Sequence, residues 1–295
     1  MTLSGQWRLG IAHQLASKYA RNPNVAAYIV VGALARGFAD AYSDLDCVVL
    51  WHQPPTQAER REVIMQVEGD IDIMLDASPH EDPALQEWSD AFYLGGDKHS
   101  GLKVDTSHTL LANTQKLISD VMNDHENNAR KLGILYSLNH GLPLHGAEIF
   151  NDLIARANRC PLLLSERIVR KNLRFFPQWS YDVLGRREDW ILYNQLMTQA
   201  VENVMYILIG LNRQFPPFRL KHMSFIISEF EIKPPNLDEQ ITTILRGEPS
   251  KAVDSLIATI TQAFDLIDQH MPQIDSNSVR DNFNHRRARI DAINR

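Results

Sequence analysis

Hydrophobic and polar positions follow two different rhythms along this chain, and the change falls near its middle. In the first half, short runs at 25–31, 46–51, 70–75 and 102–107 are rich in β-branched and aromatic residues. Such runs suit a half-buried pleated surface and predict strands. Between them lie stretches of helical spacing. Ile11, Leu15 and Tyr19 recur four residues apart and predict an amphipathic first helix. Residues 56–68 are charged and bounded by Pro54, Pro55 and Gly69, which predicts a second helix. A long helix over 109–132 is expected to cover one face of the sheet. Strand–helix–strand alternation of this kind predicts an α+β domain with a mixed β-sheet.

The second half carries almost no strand signal. Trp190, Asn194, Met197, Val201, Val204, Leu208 and Leu211 follow at three- and four-residue steps, so 187–213 reads as one long amphipathic helix. Further helices are expected over 148–157, 163–176, 221–230 and 250–270, punctuated by Pro161, Pro177, Pro216, Pro217, Pro234, Pro235 and Pro249. An arginine-rich terminal helix is expected over 279–295. The division this predicts is an α+β domain over 1–145 and an all-helical bundle over 146–295.

Composition narrows the function classes. The 295 residues are 44% hydrophobic and 22% charged, as in ordinary globular chains. Lys and Arg number 30 against 36 Asp and Glu, a formal net charge of −6. That balance argues against a polynucleotide-coating protein or a polybasic membrane binder. Cys47 and Cys160 make neither a disulfide framework nor a metal-site spacing, so a reducing, cytoplasmic setting is expected. The longest apolar runs, 25–35 and 204–211, fall short of the ~20 residues a membrane span needs. Arg8, His13 and Lys18 interrupt any signal-like apolar core.

The candidate chemistry lies in residues 29–50. A buried strand runs into Gly32, a short helical turn follows with Arg36 and Gly37, and then come Ser43, Asp44, Leu45 and Asp46. Residues two apart on a strand share a face, so Asp44 and Asp46 are expected to present paired carboxylates while Leu45 and Cys47 enter the core. Adjacent anions favour a hard divalent cation such as Mg²⁺ between them. Gly32 has no Cβ, which lets the backbone approach a phosphate, and the turn after it offers N–H donors. Asp105 sits among apolar neighbours in a later strand, where a lone charge is costly unless paired or metal-bound. The combination suggests phosphoryl or nucleotidyl transfer from a metal-bound nucleoside triphosphate.

This layout of Gly32, Ala33, Arg36, Gly37, Ser43, Asp44, Leu45 and Asp46, with Asp105 downstream, resembles the polymerase-beta-like nucleotidyltransferase superfamily. It is most similar to bacterial aminoglycoside and lincosamide nucleotidyltransferases. The motif residues are dense over 29–50, sparser over 101–108 and weak beyond 150. The resemblance implies that Asp44 and Asp46 hold the metals, two Mg²⁺ in such enzymes, and that Asp105 completes the acidic set as metal ligand or general base. It implies contacts to the triphosphate from Gly32, Ala33, Arg36 and Ser43, and from a lysine of the helical half, for which Lys221 is the candidate and Arg219 the second. Position 33 departs from the family pattern, since the usual serine is alanine here. The implied reaction moves a nucleoside monophosphate, AMP by family weight, from ATP or another nucleoside triphosphate to a hydroxyl of a small-molecule acceptor and releases pyrophosphate. A long polynucleotide is not the expected acceptor.

Plainer readings stand beside these. Arg36 is equally an ion-pair partner of the acidic cluster, and Lys221 is equally a surface lysine. Asp70 and Asp72 also alternate, but no glycine turn precedes them, and with Asp76 they read as an exposed row. Trp88 reads as a core tryptophan, Glu202 as a solvated helix residue and Cys47 as a small buried hydrophobe. His108, His140 and His145 lack metal-ligand spacing. Two other functions fit the same residues: a catalytically weak nucleotide-binding regulator, motivated by Ala33, and an antitoxin-like interaction protein.

Overall fold

The computed structural model describes residues 2–67, 69–75 and 87–287, with the backbone path alone over 69–75. The chain divides into two compact units, Met1–Asn158 and Arg159–Arg295.

The first unit opens with α1 (Leu3–Tyr19), whose N-terminus is capped by the Thr2 hydroxyl accepting from the Gly5 N–H. There follow β1 (Val25–Val30), α2 (Gly32–Ala35), β2 (Leu45–Trp51), α3 (Gln57–Met65), β3 (Gly69–Leu75), β4 (Trp88–Leu94) and β5 (Leu102–Leu110). The unit closes with α4 (Leu111–Met122), α5 (Ala129–Asn139), β6 (Leu142–His145) and α6 (Ala147–Arg156). One sheet runs in the order β3-β4-β5-β2-β1-β6. Only β2 and β5 pair in parallel, and the other neighbours are antiparallel, so the sheet is mixed. A parallel pair needs a crossover; here α3, β3 and β4 supply it.

Alternation on β2 builds the core. Leu45, Cys47, Val49 and Trp51 are buried with Val104 of β5, Phe92 of β4 and the Ala12, Leu15, Ala16 and Tyr19 face of α1. Asp46 and Asp105 fall on the other parity. Every residue of β1 is buried, which accounts for its unbroken apolar run. A capping box of Thr56 and Glu59 starts α3.

The same inner face holds a buried polar chain. Arg60 of α3 donates to Asp90 Oδ1 at 2.6 Å, and His108 Nε2 stands 3.0 Å from Asp90 Oδ2. The Trp51 indole N–H donates to His108 Nδ1 at 3.1 Å, so Nε2, facing Asp90, carries the ring proton. Asp90 therefore joins Phe92 on the inner face of β4, while Trp88 is only half-buried. This charge is what hides β4 from the apolar pattern. Burial pushes the Cys47 thiol up to about 12, and it accepts the Tyr28 hydroxyl at 2.8 Å; it is a core group, not a nucleophile.

Three expectations need correction. The helix expected over 109–132 is two helices, because the polar run from Asn123 turns the chain at His125, with φ +54°, and Asn128 caps α5 by accepting from the N–H groups of Arg130 and Lys131. β6, only four residues long and containing Pro143, gave no strand signal. The division falls after Asn158 rather than at 145, because β6 pairs with β1 and α6 packs on β1 and α4. Gly146 makes that return possible: at φ +67°, a Cβ there would lie 2.0 Å from the Ala26 carbonyl oxygen.

The second unit is all-helical: α7 (Leu162–Asn172), α8 (Gln178–Arg186), α9 (Trp190–Leu211), α10 (Met223–Ser228), α11 (Leu237–Arg246), α12 (Pro249–His270) and α13 (Asn277–Asn284). Its core is built on α9 and α12. Ala252, Leu256, Ile260, Ala263, Phe264 and Ile267 follow at helical steps and meet Val201, Val204, Met205 and Leu208 in one cluster. Of the terminal helix expected over 279–295, residues 288–295 lie outside the described residues. Among the described residues no helix is long and apolar enough to cross a membrane.

Candidate functional site

The end of β1 and the start of β2 lie side by side, since the two strands run antiparallel and the Val31 N–H donates to the Asp46 carbonyl at 2.9 Å. Gly32 therefore meets Asp46. Its φ is +68°, and a Cβ built there would fall 2.5 Å from Asp46 Oδ2. Both the left-handed conformation and the close approach favour glycine at this point, since any side chain would have to displace the Asp46 carboxylate. Parallel pairing then sets Asp46 directly opposite Asp105, and register partners in neighbouring strands point to the same face. Gly32, Asp46 and Asp105 thus come together on the outer face, as the sequence pattern suggested.

Asp44 is placed differently. β2 begins at Leu45, so Asp44 stands in the turn before the strand and is exposed. That turn is held by Arg8, a buried residue of α1 that the apolar pattern did not reveal. Its guanidinium donates to the carbonyls of Ser43 at 2.8 Å, Ser4 at 3.1 Å and Ala41 at 3.4 Å. The Ser43 hydroxyl donates to Asp40 Oδ1 at 3.0 Å. The Tyr42 N–H and that hydroxyl hold the Asp40 carboxyl below its usual range. Ser43 is thus a turn-forming residue here.

Lys103, two residues before Asp105 and so on its face of β5, places Nζ 2.7 Å from Asp105 Oδ2. The Asp105 carboxylate, with Asp44 adding, holds the Lys103 ammonium above its usual range. The i, i+2 spacing was the available signal for this pair. Arg36 packs its guanidinium 5.3 Å from the Phe38 ring centroid and 5.2 Å from that of Tyr136. The Ala33 methyl packs against the first unit's core. Arg219 and Lys221 are exposed residues of the second unit, in the turn before α10, where the Lys221 N–H donates to the Arg219 carbonyl at 3.0 Å. Glu202 is exposed on α9, and His140 faces the Tyr136 carbonyl at 2.7 Å. The side chains of Asp70 and Asp72, and Asp76 itself, lie outside the described residues.

Among the described residues, no three His, Cys, Asp or Glu side chains are gathered as a metal-ligand set. The adjacent Asp46 and Asp105 carboxylates, beside a backbone stripped of Cβ, still fit one hard divalent cation whose remaining ligands are substrate oxygens and water. Replacing Gly32 with Val should displace Asp46 and force a β-branched residue into the left-handed region. Stability should fall by about 1–3 kcal/mol, read as a lowered urea midpoint at unchanged slope.

No family model matches the chain, and no curated protein matches it. Among solved structures, a nucleotidyltransferase-like protein from Exiguobacterium sibiricum 255-15 aligns over 88% of this chain and 78% of its own, at 11% identity and a TM-score of 0.34. An aminoglycoside 6-adenyltransferase from Bacillus subtilis aligns over 90% of this chain and 94% of its own, at 9% identity and a TM-score of 0.32. Neither likeness assigns an activity or a substrate to this chain.

Proposed function

We propose that this protein is a divalent-metal-dependent nucleotidyltransferase that moves a nucleoside monophosphate, AMP in the first instance, from a nucleoside triphosphate to a hydroxyl of a small-molecule acceptor. One observation carries the reading. Gly32 is held in the left-handed region against Asp46, and Asp46 is register-paired with Asp105 on one sheet face. In this reading Asp46 and Asp105 hold Mg²⁺, and Asp44 contributes from the preceding turn. The metal, when bound, neutralises charge on the phosphates and polarises the reacting phosphoryl group. The chain's own residues do the positioning. Gly32 and the turn after it admit the triphosphate along the backbone, Arg36 supplies positive charge nearby, and Asp105 orients the acceptor hydroxyl and can take its proton.

A second reading, nucleotide binding without turnover, is favoured by the Lys103 ammonium on Asp105 and by alanine at position 33. Calorimetric titration with ATP tests what both share. Binding should require Mg²⁺ and be lost on chelation with EDTA; affinity indifferent to EDTA would remove the metal from the site.

A further inference from the structure

A pocket of ≈ 380 Å³ opens in the first unit between α1, the 40–44 turn and the loop leading into β5. Arg8, Lys98 and Lys103 line it against a single carboxylate, Asp44, with the rings of Trp7, Tyr42 and Tyr93. Among the lining residues three cations face one carboxylate, in a chain whose net charge is −6, and Asp105 pairs with Lys103 from beside the pocket. Nearby Asp97 is held inside its own turn, its carboxylate accepting from the His99 N–H and from the Ser100 N–H and hydroxyl. The aromatic walls stand open: Trp7 is 55% and Tyr42 94% exposed.

Topology gives the pocket its side. Gly32 follows β1, on one flank of β2, whereas Lys103 and Tyr93 belong to β5 and β4 on the other. Lys103 joins the pocket to the carboxylates, since the ammonium that lines it also touches Asp105. We infer that this pocket is the acceptor subsite and takes a planar molecule bearing a phosphate monoester, its ring against Trp7 and Tyr42 and its dianion between Lys98 and Lys103. Two ammonium groups match a dianion, the rings offer stacking surface, and the volume suits a small molecule. The acceptor role rests on the nucleotidyl-transfer reading, whereas the phosphate site itself does not.

Phenyl phosphate, titrated into the metal-free protein and followed by tryptophan fluorescence and calorimetry, tests the site without any turnover. Wild type should bind it, and benzyl alcohol and kanamycin should fail to compete. Lys98→Met and Lys103→Met should each weaken binding about tenfold or more, the scale of a hydrogen bond to a charged group. Trp7→Phe should remove the fluorescence change while calorimetric binding persists in weakened form. Mg²⁺–ATP should leave phenyl phosphate in place. Binding unaffected by both lysine variants, displacement by kanamycin, or displacement by Mg²⁺–ATP would each overturn the inference. Because no nucleotide chemistry enters the titration, a protein that binds phenyl phosphate here but transfers no nucleotide would lose only the acceptor role. A transferase indifferent to Lys98→Met and Trp7→Phe would lose only the pocket.

Discussion

Asp46→Asn should remove nucleotidyl transfer while leaving the protein folded. Asp46 is half-buried on the outer face, and the isosteric amide keeps its volume, so the inner core of the first unit is untouched. What changes is the affinity for a cation, because an amide is a weaker ligand for Mg²⁺ than a carboxylate. Loss of metal polarisation at a phosphoryl oxygen is worth several kcal/mol, so turnover should drop by roughly 10²–10⁴-fold. Asp105→Asn should also lose turnover, but it separates two roles. If Asp105 only takes the acceptor proton, Mn²⁺ binding followed by paramagnetic resonance should survive in Asp105→Asn and fail in Asp46→Asn. Equal loss of Mn²⁺ in both would make Asp105 a metal ligand. The released Lys103 ammonium is the complication in this variant, and Lys103→Met in the same background isolates it.

Asp90→Leu should produce the largest loss of stability. Arg60 and Asp90 are both buried, at 2% and 0% side-chain exposure, and His108 Nε2 stands 3.0 Å from the second oxygen of the same carboxylate. Removing one partner of a buried pair leaves the other charge unsatisfied, a cost of about 3–5 kcal/mol. Urea unfolding should show this as a lowered midpoint, and nucleotide binding should persist in the fraction that stays folded. A double variant, Arg60→Met with Asp90→Leu, should recover most of the loss, because it removes the orphaned charge as well. Full stability in Asp90→Leu would mean that the pair is not buried as described.

These two predictions touch opposite faces of the same sheet, and its strands differed in how legible they were. β1 could be read as an unbroken apolar run, and β2 and β5 from inner apolar positions such as Leu45, Cys47, Val49, Leu102 and Val104. β4 could not, because Asp90 sits where a hydrophobe is expected and is satisfied by Arg60 from α3, far away in sequence. β6 was too short and too proline-marked to register. The break between α4 and α5 was written in the polar run before Asn128, but helical spacing resumed soon enough to hide it. At the site, Gly32 and Asp46 were legible because local geometry alone constrains them. The opposition of Asp46 and Asp105 depends on a parallel register across 59 positions of sequence, which spacing suggests but does not fix. The turn-holding roles of Ser43 and Arg8 were not legible for one reason: turn hydrogen bonds leave no periodic trace.

The central claim is transfer of the α-phosphoryl group, and the fate of label tests it most directly. The protein is incubated with Mg²⁺, a panel of hydroxylated acceptors that includes phosphate monoesters, and ATP labelled at either the α- or the γ-phosphorus. The account predicts that α-label becomes attached to an acceptor while γ-label leaves as intact pyrophosphate, with both processes abolished in Asp46→Asn. Label from the γ-position appearing in the acceptor or as orthophosphate, or transfer that continues in Asp46→Asn, would contradict it.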